Sequence, residues 1–275
     1  MKLLMILMAL SISKPKEDKT VIFKTFPVNN PENTRVIIDN VNGDVEVERS
    51  DDNLVHLYLE IVFEATTDQL LKRAKTELKL GEYFEGDSII AFHVKAPFVR
   101  RSKYGQGWGY DFNDKLPYDF KYQYKVKVPK NVTLEARTVN NGDVLIRDID
   151  GPIIACNVNG GVEVKNAKVI HQASTVNGDV TINFLESPKN PIQFNTVNGD
   201  FNFTLPEDFT AKVYFDSMHG DLYTAFDYKE LSPKVTKSEE NGTYKIGSKT
   251  GVEIGSGGPE LLFKSINGNV YLKKS

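Results

Sequence analysis

Four aspartates follow a corner glycine at near-regular intervals: Asp143, Asp179, Asp200 and Asp221. If their turns stack, the carboxylates stand roughly 5 Å apart along one edge. Such a row could coordinate calcium, which takes several oxygens, or supply the carboxylates of a glycan lyase or hydrolase. Gly161 interrupts the row and Asn269 ends it without charge. The plainer expectation is that each Asp accepts backbone N–H bonds at its own turn. On that reading the chain is no enzyme and uses no metal or cofactor.

Other reactive side chains do not gather. His56, His93, His171 and His219 fall in separate units. His171 aligns with Ile153, Ile192 and Val213, which predicts a packed histidine, and His219 replaces a corner Asn. Cys156 is the single cysteine, so no intrachain disulfide forms. Without a basic neighbour, and aligned with small apolar residues, it reads as a buried spectator. Nucleophile-elbow, phosphate-loop, paired-His zinc and clustered-Cys patterns are lacking.

A second kind of chemistry sits in Phe98 to Tyr118. Arg100, Arg101, Lys103, Tyr104, Trp108, Tyr110 and Phe112 are interleaved there with Gly105, Gly107 and Gly109. Aromatic rings beside cations suit stacking on a sugar or holding a partner chain. Two readings stand: the segment folds back to cap the open end of a repeat stack, or it binds an envelope protein or glycan.

The elements that must position these residues are repeats. Asn-Gly followed by Asp, Gly or Asn recurs at Gly43, Gly142, Gly160, Gly178, Gly199 and Gly268, and His219-Gly220-Asp221 is a variant. The glycines from 142 to 220 are spaced by 18, 18, 21 and 21 residues, a solenoid period. Residues two and four after Gly160, Gly178, Gly199 and Gly268 are apolar, as in Val162 and Val164 or Phe201 and Phe203, and alternate with mostly polar ones. Five before Gly stand Ala155, Ala173, Phe194, Phe215 and Phe263. Each unit is therefore a strand, an Asn-Gly corner and a second strand, with one face in the core. The corner calls for positive φ, which Gly adopts and Asn tolerates. A hairpin meander would use the same corner, but no feature alternates with a double period. The fold expected is all-β, a right-handed β-solenoid-like stack of 18–21-residue rungs with a small α/β insertion. Asn140, extra before Asn141-Gly142, predicts a bulge.

These residues resemble the bacterial putative-adhesin family, also called toast-rack, built of Asn-Gly-Asp β-rungs. Tyr124 to Val139 is similar to that family's lead-in to its rungs, and Ser265 to Leu272 to its closing repeat. The resemblance runs over about residues 36–273. It implies no catalytic residues and places some related modules at the cell envelope. Leu222 to Val252 departs from the repeat and is expected to be an ejected loop.

Residues 1–13 are a Lys, an apolar run and Ser11-Ile12-Ser13, the order of a secretory signal and too short to span a bilayer. Export to the periplasm or cell surface follows. The division expected is a signal peptide over 1–13, a first rung over 21–50, an α/β insertion over 51–130, and repeats over 131–275. Within the insertion, Leu54–Phe63, Ser88–Lys95 and Phe120–Val128 read as strands and Asp68–Leu80 as a helix capped by Thr66 or Thr67. With 34 basic and 37 acidic side chains, no field draws in nucleic acid. Oligomeric state leaves no mark in the sequence.

Overall fold

The computed structural model describes residues 14–101, 108–110, 116–240 and 243–275. The expected signal segment, 1–13, lies outside them. Strand β1 (Lys16–Pro27) leads to β2 (Arg35–Asp39) and β3 (Val45–Arg49). Then come β4 (Leu54–Ala65), α1 (Asp68–Glu77), β5 (Lys79–Glu85), β6 (Ile89–Lys95), β7 (Val99–Arg101), β8 (Trp108–Tyr110) and β9 (Asp119–Val128). Strand pairs follow: β10 (Thr133–Arg137) with β11 (Val144–Arg147), β12 (Pro152–Cys156) with β13 (Val162–Ala167), and β14 (Val169–Ser174) with β15 (Val180–Phe184). Next are β16 (Ile192–Asn195) with β17 (Phe201–Leu205), and β18 (Ala211–Asp216) with β19 (Leu222–Thr224). A hairpin of β20 (Tyr228–Glu240) and β21 (Thr243–Ile254) precedes β22 (Glu260–Lys264) and β23 (Val270–Lys274).

The two members of each pair enter different sheets. One sheet runs β1-β4-β9-β3-β11-β13-β15-β17-β23-β19, the other β20-β21-β18-β22-β16-β14-β12-β10-β2-β6-β5. Repeat strands lie parallel and in register, so Val144 faces Val45 and Val162, while Phe201 faces Val180 and Val270. Like residues thus stack on like, as the repeat required.

The order of rungs in space differs from their order in sequence. The closing repeat, β22 and β23, sits between the rung of β16 and β17 and the rung of β18 and β19. The 21-residue step from Gly199 to Gly220, read as adjacency, is therefore a step over an intervening rung.

Residues 51–130 continue both sheets. β6 lies parallel to β2 and β9 parallel to β3, adding a further layer to the stack. β4 and β1 then extend the first sheet antiparallel, and β5 the second. Helix α1 begins where Thr67 accepts a hydrogen bond from the Leu70 N–H at 3.2 Å. It buries Leu71 and Ala74, and the Lys75–Asp18 and Lys16–Asp68 pairs, at 2.7 and 2.6 Å, tie it to β1. Leu222–Val252 is not an ejected loop. Its antiparallel hairpin pairs through β21 with β18, Val252 opposite Val213. Among the described residues no helix is long and apolar enough to cross a membrane.

Between the sheets the core changes character along the stack. Ala136, Ala155 and Ala173 occupy the middle rungs, and Phe194 and Phe263 take the same column beyond them. There Phe194, Phe201, Phe203 and Phe263 form one cluster, with Phe194 edge-on to Phe203 at 4.6 Å and stacked on Phe263 at 5.2 Å.

Candidate functional site

The corners form one edge of the stack, and two ladders of side chains run along it. In the first, the Asn159 amide donates to Asn140 Oδ1 at 2.8 Å, Asn177 to Asn159 at 2.8 Å, Asn198 to Asn177 at 2.7 Å, and Asn267 to Asn198 at 2.7 Å. Asn42 ends the line on the Phe120 carbonyl. Asn140 holds the ladder position, and the bulge residue is Asn141, at φ 53°, whose amide reaches Asn42 Oδ1 at 2.8 Å.

The second ladder is the aspartates. Asp44 accepts from the Asp143 N–H at 2.8 Å, Asp143 from Gly161 at 2.7 Å, Asp179 from Asp200 at 2.8 Å, and Asp200 from Asn269 at 2.7 Å. Each carboxylate therefore serves the turn of the next rung, not its own turn as expected. Asn269 does the same for the Asp221 N–H at 3.0 Å, so the charge is dispensable to the geometry. Behind the ladders, Thr138, Thr175 and Thr196 donate to the carbonyls of Gly43, Gly160 and Gly178.

Glycine is required here for a reason beyond φ. Gly43, Gly160, Gly178 and Gly199 have positive φ, whereas Gly142, Gly220 and Gly268 do not. All but Gly43 share a close approach: a Cβ on Gly142, Gly160, Gly178, Gly199, Gly268 or Gly220 would stand 1.9–2.3 Å from the carbonyl oxygen of the preceding glycine in the stack. Stacked turns leave no room for a side chain.

Two alignments from the sequence are corrected. His171 is exposed, because a register shift gives its column to buried Ile170 and makes His171 the extra residue. Cys156 is not in the small apolar column. It is half-buried on the opposite face from Ala155, level with Arg137 and Ser174, and the Ser174 hydroxyl meets its sulfur at 3.4 Å.

The aromatic, basic segment occupies a corner position. β6 and β9 form a layer like the others, but the chain crosses between them through residues 96–118. Both feet of this crossing are embedded. Phe98 is buried with its ring 5.9 Å from Phe120. Tyr118 is buried and its hydroxyl donates to Glu77 Oε2 at 2.5 Å. That bond, then Arg73, holds the Glu77 carboxyl below the usual range, while burial, then Glu77, raises the Tyr118 phenol. From the feet rise β7 and β8, antiparallel, with Arg100 opposite Gly109 and Arg101 opposite Trp108. Arg100 is exposed. Tyr110 faces Val99, and Lys103 and Tyr104 lie outside the described residues.

Sequence reasoning missed the outward face of the first sheet. Phe23, 73% exposed, packs edge-on against Tyr58 with centroids 4.8 Å apart. The run Val21, Phe23, Thr25 against Ile22, Phe26 carries the two-residue period that marks this strand.

A family model described as Toastrack DUF4097 matches residues 129–254, somewhat under half of the chain. No curated protein matches. Among solved structures, the chain is similar to a putative cell adhesion protein from Clostridium sporogenes, at 11% identity and TM-score 0.42, over 95% of this chain and all of that one. It is also similar to a putative adhesin from Bacteroides fragilis, at 13% identity and TM-score 0.37, over 93% and 97%. A third is a putative lipid binding protein from Parabacteroides distasonis, at 12% identity and TM-score 0.28, over 93% and 96%.

Proposed function

We propose that the chain is an exported cell-envelope scaffold, a right-handed β-solenoid that binds a macromolecular partner, protein or glycan, and performs no catalysis. Its contact residues are Arg100, Arg101, Lys103, Tyr104, Trp108 and Tyr110. The observation that carries this reading is the crossing from β6 to β9. Neighbouring rungs turn through a compact Asn-Gly corner, while this layer spends residues 96–118 on the same step. Buried Phe98 and Tyr118 anchor it, and the cations and rings fall between them. A long connection rooted in the core and rich in aromatic and basic residues is the form of a binding loop.

Catalysis at the Asp edge is disfavoured, since Asp44, Asp143, Asp179 and Asp200 each hold a backbone N–H of the next rung. The test is a triple substitution, Arg100→Ala, Arg101→Ala and Trp108→Ala, followed by binding to isolated cell-wall glycan and to envelope membranes. The variant should keep its thermal transition and lose at least tenfold in retention on one of these. Equal retention by both proteins on both materials would reject the loop as the contact.

A further inference from the structure

A second surface lies away from that loop, on the outer face of the first sheet. The outward residues of β1, β4, β9, β3 and β11 line an open groove of about 1,020 Å³. Four strand-to-strand steps make it ~19 Å across, long enough for several rings of a linear chain.

The lining has three properties. Three basic side chains, Lys125, Lys127 and Arg147, and four acidic ones, Asp44, Glu46, Glu48 and Glu60, face the groove, while Lys24 turns to the other side of β1 and pairs with Glu82 at 2.6 Å. Two pairs lie across adjoining strands, Lys127 with Glu48 at 2.9 Å and Lys125 with Glu46 at 4.0 Å, and Glu60 is met by Lys19 at 3.4 Å. At one wall Phe23 is exposed over most of its surface, braced edge-on by Tyr58. Beneath these side chains the backbone of β4, β9 and β3 is paired on both sides within the sheet.

Each property removes a class of occupant. With three cations against four carboxylates, the floor gives no positive field for nucleic acid, sulfated chains or anionic lipid. Of the lining strands only β1 has an open backbone edge, and it faces away from the floor, so a peptide strand added there would not fill the groove. What remains is an apolar ring face for stacking beside alternating ammonium and carboxylate groups, which donate to and accept from hydroxyls. Neutral pyranose chains present that combination of apolar ring faces and hydroxyl rims.

We propose that this groove binds a neutral oligosaccharide laid across the strands. One sugar ring packs on Phe23, and its neighbours' hydroxyls bond to the Lys125–Glu46 and Lys127–Glu48 pairs. The site is separate from the 96–118 loop and stands or falls without it.

The test is calorimetric titration of the full chain with cellohexaose, maltohexaose and chitohexaose, and with a heparin hexasaccharide as the charged comparison. At least one neutral chain should bind, and Phe23→Ala should weaken it about tenfold with an unchanged thermal transition, as suits a side chain this exposed. Lys127→Gln with Glu48→Gln should weaken it further, whereas the Arg100, Arg101 and Trp108 variant should bind as the wild type does. Absence of neutral-sugar binding at millimolar concentration, binding of heparin alone, or equal binding by Phe23→Ala would each overturn the proposal.

Discussion

The side-chain amide of Asn267 donates to Asn198 at 2.7 Å although 69 residues of chain separate them. This bond marks the place where the closing repeat enters the stack. On its other side β23 is the partner of β19, and β22 lies between β16 and β18. Residues 260–274 are thus an internal layer of the structure.

Removing residues 260–275 should therefore do more than shorten the stack. It takes away Phe263 from the aromatic cluster and the parallel neighbours of both β18 and β19. Limited proteolysis of the truncated chain should cut throughout 206–255 while leaving 119–200 protected. Protection of both regions would contradict the interleaved order.

Gly268→Ala should lower stability by several kcal/mol, because its Cβ meets the Gly199 carbonyl oxygen at 1.9 Å, backbone against backbone. Gly86→Ala provides the contrast. With φ at +52° but nothing within 4 Å, it should cost only ~1 kcal/mol of backbone strain. Chemical denaturation of the two variants measures the difference, and equal losses would mean that the close approach of stacked turns does not select glycine at the corner.

Asp179→Asn and Asp200→Asn should each change stability by less than about 1 kcal/mol, since an amide oxygen can accept the same N–H, as Asn269 does for Asp221. Asp200→Ala should cost more, leaving the Asn269 N–H without its acceptor. Urea unfolding midpoints rank the three. A polysaccharide-degrading activity that disappeared in both Asn variants would restore the Asp edge as a catalytic site.

Acid should weaken the end of the stack through His93. Burial, and after it Lys95, lowers this imidazole to about 4, against about 6.5 in an unfolded chain. Between those values the unfolded state binds the extra proton, so stability is full above pH 6.5 and falls as pH drops toward 4. Partial exposure limits the loss to no more than about 2 kcal/mol. The ring lies against Gly81, where a Cβ would meet Nε2 at 2.2 Å, so His93→Phe keeps the contact and removes the titration. Stability measured from pH 7.5 to 4.5 should fall less in that variant than in the wild type.

Much of this architecture is legible because one period governs both sheets. The Val, Phe and Ala columns place the core, and Leu54 to Phe63 and Asp68 to Leu80 announce β4 and the start of α1, although α1 ends at Glu77 and Lys79 already opens β5. The failures have physical causes. Gly199 and Gly220 are spaced like neighbours, and nothing local to either records that Gly268 stacks between them. Counting back from Gly178 puts His171 in the core column, and a single extra residue reverses which side a strand residue faces. Cys156 stands next to Ala155 in sequence and on the other side of the sheet in space. The groove stayed hidden because its residues come from five strands spread over more than a hundred positions, with only their facing in common. The loop stood out in the sequence because it interrupts a pattern, and its place at a corner follows from the pairing of β6 and β9.

Parallel strands in register, with like side chains stacked and asparagine amides bonded from layer to layer, are also the hydrogen-bond geometry of an amyloid fibril. Such an array adds copies at its ends unless something forbids it. Here the growth direction is closed by reversals of strand polarity: β4 and β1 at one sheet terminus, β5 at another and β21 with β20 at a third, while the fourth offers only the three residues of β19. A strand of reversed polarity does not continue the parallel register behind it, and a short edge offers few groups for pairing. Within one chain the fibril-like lattice therefore has a finite length, bounded by strands that break its repeat.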